Sequence, residues 1–239
     1  MTGARKPPNG PKIAKGALPT GRMAGVRVKT ARSRSHASTL WLQRQLNDPY
    51  VAEAKRLGYR SRAAFKLAQL DDRFHFLGKG KRIVDLGCAP GGWCQIAVER
   101  VGPSGKVVGI DYLAMDPVPG AQTLELDFLD PSAPDRLRAL LDGPADVVLS
   151  DMAAPTTGHG PTDHLRVIGL AEIAHAFAAE VLVPGGTFIA KVFQGGTEKV
   201  LLETLKRDFT QVRHAKPAAS RADSSEVYVV ATGFRRSAT

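Results

Sequence analysis

With 239 residues, 43% of them hydrophobic and 23% charged, the chain can bury the core of one α/β domain and still carry an appendage. No apolar run reaches 18 residues and no apolar stretch follows the basic N-terminus, so neither a membrane-spanning helix nor a secretory signal is expected. The net charge of +10 sits in one place: residues 1–47 hold ten Lys/Arg and no Asp or Glu, while residues 48–239 hold 23 of each sign.

Residues 1–37 are rich in Gly, Pro, Ser, Thr and Lys/Arg and cannot bury enough apolar surface to offset the entropy of ordering. They are expected to form a disordered basic tail suited to nucleic-acid phosphates. A helical segment packing on the core is expected over 38–80. Within it, Thr39–Leu46 reads as a short helix, and Asp48-Pro49 opens a second that closes at Gly58. Ser61 is placed to cap a third, carrying Ala64, Phe65, Lys66, Leu67 and Leu70.

The body is expected over 81–239. Ile83 and Val84 lead as a buried strand into Asp85, and a turn follows through Gly87, Gly91 and Gly92. Trp93, Ile96, Ala97 and Val101 then recur with the spacing of one helix face. Further strands are expected at 106–111, 123–127, 146–151, 187–192, 210–214 and 226–232. Helices are expected over 131–141, a long stretch after a loop at 152–161, and 196–208, with Pro184-Gly185-Gly186 as a turn. Strands alternating with helices imply a Rossmann-like α/β fold, a mostly parallel seven-stranded sheet with helices on both faces; the final two strands have no helix between them and can pair antiparallel, which gives an antiparallel last strand.

In such sheets ligands bind beyond the carboxyl ends of the strands. Asp85, Asp111, Asp127 and Asp151 fall at four such ends. Asp111 has the separation from the glycine turn expected of an acid that binds a ribose diol, and Asp127 could hydrogen-bond an adenine amino group. The loop Gly87-Cys88-Ala89-Pro90-Gly91-Gly92 lacks the middle glycine of the dinucleotide fingerprint and the Gly-Lys-Ser/Thr close of a Walker A loop. Pro90 also removes one N–H from any phosphate cradle. An acid beside the turn suits a cationic cofactor, and S-adenosylmethionine is the expected one. Asp85, Gly87, Gly91, Gly92 and Trp93 are expected to contribute to its site.

The acceptor follows from what is missing. Asp151-Met152-Ala153-Ala154-Pro155 offers no aromatic to stack a base for amine methylation. Cys88 and Cys94, expected to be reduced thiols, lie in the cofactor loop region, so no cysteine is placed as the nucleophile of cytosine C5 methylation. An oxygen acceptor remains. Lys191, in an apolar strand, and Lys66, Asp151 and Glu226 could converge on the rim where it would sit. His159 and His164 flank a loop without a third ligand, so no metal is expected. His175 reads as a surface or packed helical residue.

Five ordered motifs support that direction. They are Ser61-Arg62-Ala63-Ala64-Phe65-Lys66-Leu67, Asp85 to Trp93, Ser150-Asp151-Met152-Ala153, Lys191-Val192-Phe193-Gln194-Gly195 and Ser225-Glu226-Val227-Tyr228. Together they resemble the FtsJ/RlmE family of ribosomal RNA large-subunit methyltransferases, which modify a uridine 2′-hydroxyl in 23S rRNA. The resemblance runs from about Thr39 to Gly233. It implies that 81–239 is a methyltransferase domain with a Lys66–Asp151–Lys191–Glu226 tetrad, in which Lys191 accepts the proton. It implies S-adenosylmethionine contacts at Gly91, Trp93, Asp111, Asp127 and Asp151. It also implies ribosomal RNA as partner, within the assembled large ribosomal subunit, and a monomeric cytoplasmic enzyme. Cys88 stands where relatives often have alanine, and Ala154-Pro155 replaces the Pro-Asn that often follows Asp-Met-Ala.

Overall fold

A computed structural model describes residues 35–194 and 199–235. The expected tail lies outside these residues except for its last three positions, and so do Gly195 and the first turn expected of the 196–208 helix. None of the described helices is long and apolar enough to cross a membrane.

Residue contacts divide the chain into two units, one ending at Tyr59 and the other beginning at Arg60. The first holds α1 (His36–Leu46) and α2 (Pro49–Leu57). Ser35 caps α1, accepting from the Ser38 N–H at 3.2 Å, so this helix begins three residues before the expected Thr39. Asp48 caps α2 by accepting from the Tyr50 N–H at 3.0 Å, Pro49 fills the first turn, and Gly58 ends it at φ +77°. All three features of α2 are the ones its residue types favour.

The second unit opens with α3 (Ala63–Phe74). Ser61 does not cap it. The chain is already wound at Arg62 (φ −60°, ψ −21°), whereas a capping side chain needs an extended residue, and the buried Ser61 Oγ has no hydrogen-bond partner. Ala64, Leu67, Ala68 and Leu70 are buried, and Arg100 pairs with Asp72 at 2.8 Å, tying α3 to α4 (Gly92–Val101).

The strands are β1 (Arg82–Leu86), β2 (Lys106–Asp111), β3 (Ala121–Glu125), β4 (Ala145–Ser150), β5 (Leu182–Phe193), β6 (Phe209–Ala215) and β7 (Glu226–Phe234). Between them lie α5 (Ala133–Leu141), α6 (Gly160–Val181) and α7 (Lys199–Asp208). They form one seven-stranded sheet in the order β3-β2-β1-β4-β5-β7-β6. The first five strands pair in parallel, and β7 runs antiparallel to both β5 and β6. The order reverses between β1 and β4, the switch point at which such sheets open a ligand crevice. Val84, Val108, Val148 and Phe188 form the middle of the core, against Leu137 of α5 and Phe177 of α6.

Two boundaries differ from the sequence reading. β3 ends at Glu125, so Asp127 lies beyond the strand; there its Oδ1 accepts from the Leu129 N–H at 2.9 Å and turns the chain. Pro184-Gly185-Gly186 is not a turn ahead of β5 but a bulge within it. Ala145 faces Leu182 and Val147 already faces Thr187, with Gly185 at φ +83° letting the surplus residues fold out.

Gly109 in β2 marks a tight spot under the glycine loop. A Cβ there would lie 2.8 Å from Cys88 Sγ and 3.2 Å from Cys94 Sγ. Gly109→Ala is therefore expected to destabilise the fold by about 1–3 kcal/mol through overpacking, read as a lower urea midpoint.

Candidate active site

The parallel strands deliver acids to one rim, each in a different setting. Asp85, one residue before the end of β1, is fully buried. Cys94 Sγ donates to its Oδ2 at 3.3 Å, while Oδ1 has no partner. Burial pushes this carboxyl up to about 7; the nearby Asp151 and Asp111 charges add to the rise and the Cys94 thiol opposes it. Asp111, closing β2, accepts from the Ala89 N–H through Oδ2 and the Leu113 N–H through Oδ1, both at 2.9 Å. It thereby fastens the glycine loop to the segment after β2.

Arg60 holds the other side of that loop. Its Nη1 donates to the carbonyls of Pro90 at 3.1 Å and Asp116 at 2.5 Å, and its Nη2 to that of Pro117 at 2.7 Å. Side chains are excluded at Gly87 and Gly91. Gly87 has φ +80° and a Cβ there would lie 2.9 Å from Met152 Cγ; at Gly91, φ is +105° and Val118 Cγ2 would be 2.7 Å away.

A cleft of about 560 Å³ opens over this rim. Gly87, Asp111, Asp127 and Asp151 line it together with Ile110, Phe128, Leu129, Met152, Leu170 and Ile173. Asp85, Gly91, Gly92 and Trp93 are not among its walls. The Trp93 indole is buried, donates from Nε1 to the Ala63 carbonyl at 2.8 Å and tilts against the Tyr228 ring at 5.6 Å. Its side chain belongs to the core. What it leaves toward a ligand is the backbone N–H of the first turn of α4, where helix donors lack intrahelical partners.

Lys66, Asp151, Lys191 and Glu226 converge as two ion pairs. Lys66 Nζ lies 2.7 Å from Glu226 Oε1 and 2.8 Å from Oε2. Lys191 Nζ donates to the Asp151 carbonyl at 2.6 Å and lies 3.2 Å from Asp151 Oδ1. Topology explains the meeting: β7 is antiparallel, so its first residue, Glu226, sits opposite Phe193 at the end of β5. Burial alone would raise the Asp151 carboxyl. The charges of Lys191 and Lys66 and the Tyr228 hydroxyl outweigh it and hold the group below the ordinary carboxylate range.

Two polar partners have no role assigned by the motifs, although Tyr228 closes the last of them. Tyr228 Oη donates to Asp151 Oδ1 at 2.8 Å and receives Lys66 Nζ at 3.2 Å, so it touches both pairs. The signal was its period: Tyr228 is two residues beyond Glu226 and hence on the same face of β7. Ser220 Oγ donates to Glu226 Oε1 at 2.8 Å from the loop between β6 and β7. That loop is held to α3, where the Ala219 N–H donates to Gln69 Oε1 at 2.8 Å and the Arg62 guanidinium donates to the Ala219 carbonyl.

The histidines stand apart from this chemistry. His159 Nδ1 bonds Thr162 Oγ1 at 2.8 Å in the first turn of α6, and His175 is packed between Phe188 and Phe209 beside Asp208. Among the described residues no group of three or more His, Cys, Asp or Glu could hold a metal ion.

The family model of the FtsJ-like methyltransferases matches residues 59–234, which include every residue of the rim and both ion pairs. The chain belongs to the FtsJ-like methyltransferase family. Among its relatives, the ribosomal RNA large subunit methyltransferase E of Paramagnetospirillum magneticum is 71% identical over 217 residues, 89% of each chain. The protein of the same name from Parvibaculum lavamentivorans is 62% identical over 245 residues, 98% of this chain and 96% of its own. A crystal structure from Plasmodium falciparum has 35% identity and a TM-score of 0.67, covering 74% of this chain and 98% of that one. The chain is thus an RNA-methyltransferase homologue over nearly its whole length, and membership of the FtsJ-like family makes it a methyltransferase with a Rossmann-like sheet.

Proposed function

We propose that this FtsJ-like chain transfers the methyl group of S-adenosylmethionine to the 2′-hydroxyl of a uridine ribose in 23S rRNA within the large ribosomal subunit. It acts as a cytoplasmic monomer. The observation that carries the reading is the pairing of Lys191 with Asp151, because Asp151 also lines the cleft: acceptor chemistry and cofactor cleft share one residue. The names of the relatives supply the RNA class. The basic tail over 1–37 gives the RNA phosphates a partner, and the helices over 38–80 lead from it to the methyltransferase domain.

The cleft fits the cofactor in chemistry. Three carboxylates face it, Ile110, Phe128, Leu129 and Leu170 offer apolar walls for an adenine, and the buried Asp85, held by Cys94 of α4, keeps its Oδ1 without a partner. Asp111 would take the ribose diol and Asp127 the adenine amino group. Gly87, Gly91, Gly92 and the Trp93 backbone would shape the methionine end, with Asp85 and Asp151 near its ammonium. When bound, S-adenosylmethionine supplies a methyl group made electrophilic by its sulfonium.

Asp151 occupies two of the directions around Lys191 Nζ, through its carbonyl and its carboxylate. The remaining direction meets the 2′-hydroxyl. Lys191, having first given one proton to solvent, keeps two N–H groups on Asp151 and takes the hydroxyl proton on its lone pair, while the oxygen attacks the methyl carbon and the bond from that carbon to sulfur breaks. Lys66, held by Glu226, orients the ribose. Positioning supplies much of the rate in such an arrangement. The test is to incubate the protein with labelled cofactor and, in parallel, large-subunit particles, naked large-subunit rRNA and tRNA. Label in the particles supports the reading, and label in tRNA alone overturns its substrate.

Asp85 makes a pH prediction. Its folded carboxyl titrates at about 7, above the ~3.9 of an unfolded aspartate. Between those values the folded chain holds a proton that the unfolded chain has released, so this group lowers stability as pH rises from about 4 to about 7. A bound ammonium favours the ionised form. Affinity for S-adenosylmethionine is therefore expected to tighten by about tenfold between pH 5.5 and 7, following the ionised fraction. Calorimetric titration should show this in the wild type and a flat profile in Asp85→Asn.

A further inference from the structure

Two ion pairs side by side do not by themselves define one reactive geometry. In this site a third group joins them. Tyr228 is fully buried, and its ring is fixed by Trp93 on one side and by β5, where its register partner is Lys191. Cross-strand partners in an antiparallel pair present their side chains to the same face. The tyrosine oxygen therefore reaches the pair that Lys191 forms with Asp151, as well as the Lys66–Glu226 pair.

The direction of its hydrogen bonds is informative. Lys66 has protons only to give, so the 3.2 Å contact makes the phenol oxygen the acceptor there. The phenol proton is thus left for Asp151 Oδ1, 2.8 Å away, the same oxygen that Lys191 approaches at 3.2 Å. Asp151 cannot rotate without giving up that bond, and Lys191 follows it because, among the described residues, both of its polar contacts are to Asp151. Tyr228 itself is no candidate for taking the substrate proton. Burial pushes its hydroxyl well above the ordinary phenol range, and the carboxylates of Asp151 and Glu226 push it the same way.

We propose that Tyr228 is a positioning residue for methyl transfer, its hydroxyl locking the Asp151 carboxylate and, through it, Lys191 into the orientation that meets the acceptor hydroxyl. This rests on the methyl-transfer reading above. The groups that face the hydroxyl are Lys66, Asp151 and Glu226, with Lys191 and Ser220 one contact further out.

Tyr228→Phe keeps the ring against Trp93 and removes only the hydroxyl. In the full chain, with labelled S-adenosylmethionine and large-subunit particles, kcat is expected to fall by about 10–100-fold, the scale of a small misplacement of a reacting group. KM for both substrates and Kd for the cofactor should stay within about twofold. A kcat within twofold of wild type would overturn the proposal. So would a fall in kcat matched by weakened cofactor binding and a lowered Tm, the signature of a packing role. Absence of transfer by the wild type itself would overturn the reaction on which both rest, and the wild-type arm reports that separately.

Discussion

Lys191→Ala is expected to lower methyl transfer by about 10³-fold, within the range supplied by a positioned proton acceptor. Affinity for S-adenosylmethionine should change by less than about twofold. The contrast follows from geometry: Lys191 Nζ contacts Asp151 and is not among the walls of the cleft, which Asp151, Asp111 and Asp127 line. The substitution also leaves a buried carboxylate without its nearest cation. Removing one partner of a buried pair costs about 3–5 kcal/mol in general, and here the Tyr228 hydroxyl and Lys66 offset part of it. The variant should therefore melt at lower temperature while still binding cofactor, and Lys191→Met, which keeps the aliphatic stem, should melt closer to wild type yet be equally inactive. Normal turnover in either would remove Lys191 from the mechanism.

Asp111→Ala carries the second large effect, on the other half of the site. Affinity for S-adenosylmethionine is expected to fall by about 10²-fold, while kcat at saturating cofactor stays within a few-fold of wild type. Two losses combine. One is a charge-assisted hydrogen bond to a ribose hydroxyl, about 1.5–3 kcal/mol. The other is the fastening of the Ala89 and Leu113 N–H groups, which loosens the glycine loop from the segment that forms the cleft wall. Asp111→Asn retains an oxygen for one of those two N–H groups and should fall between. Titration calorimetry separates the three proteins, and an unchanged Kd in Asp111→Ala would remove this residue from the cofactor site.

The strands and acids were legible because their signals are local. A short apolar run closed by Asp reads the same in isolation as in the sheet, and the antiparallel β7 followed from the missing helix before it. That inference alone brought Glu226 to the rim. What escaped depends on contacts distant in sequence. Ser61 looks like a cap until Arg62 is seen already wound into the helix, and Pro184-Gly185-Gly186 looks like a turn until β4 pairs on both sides of it. Asp127 leaves the strand because its carboxylate turns the chain locally. Trp93 opens the α4 stripe in either role, but only the fold shows its indole committed to Ala63 and Tyr228. Tyr228, although it closes the Ser225–Tyr228 motif, and Arg60, which lies outside every motif, showed no role in the sequence, since each acts by joining segments far apart: Tyr228 links α3 and Asp151 to β7, and Arg60 ties the glycine loop to residues 116–117.

The central claim is that the methyl group goes to a ribose oxygen. A 2′-O-methylated nucleotide lacks the hydroxyl that alkali uses to cleave the next phosphodiester, so it survives as part of a dinucleotide. After reaction with methyl-labelled S-adenosylmethionine and large-subunit particles, alkaline digestion of the RNA should leave the label in one alkali-resistant dinucleotide that begins with uridine, and Lys191→Ala should leave none. Label released in mononucleotides, with the methyl on the base, would contradict the account.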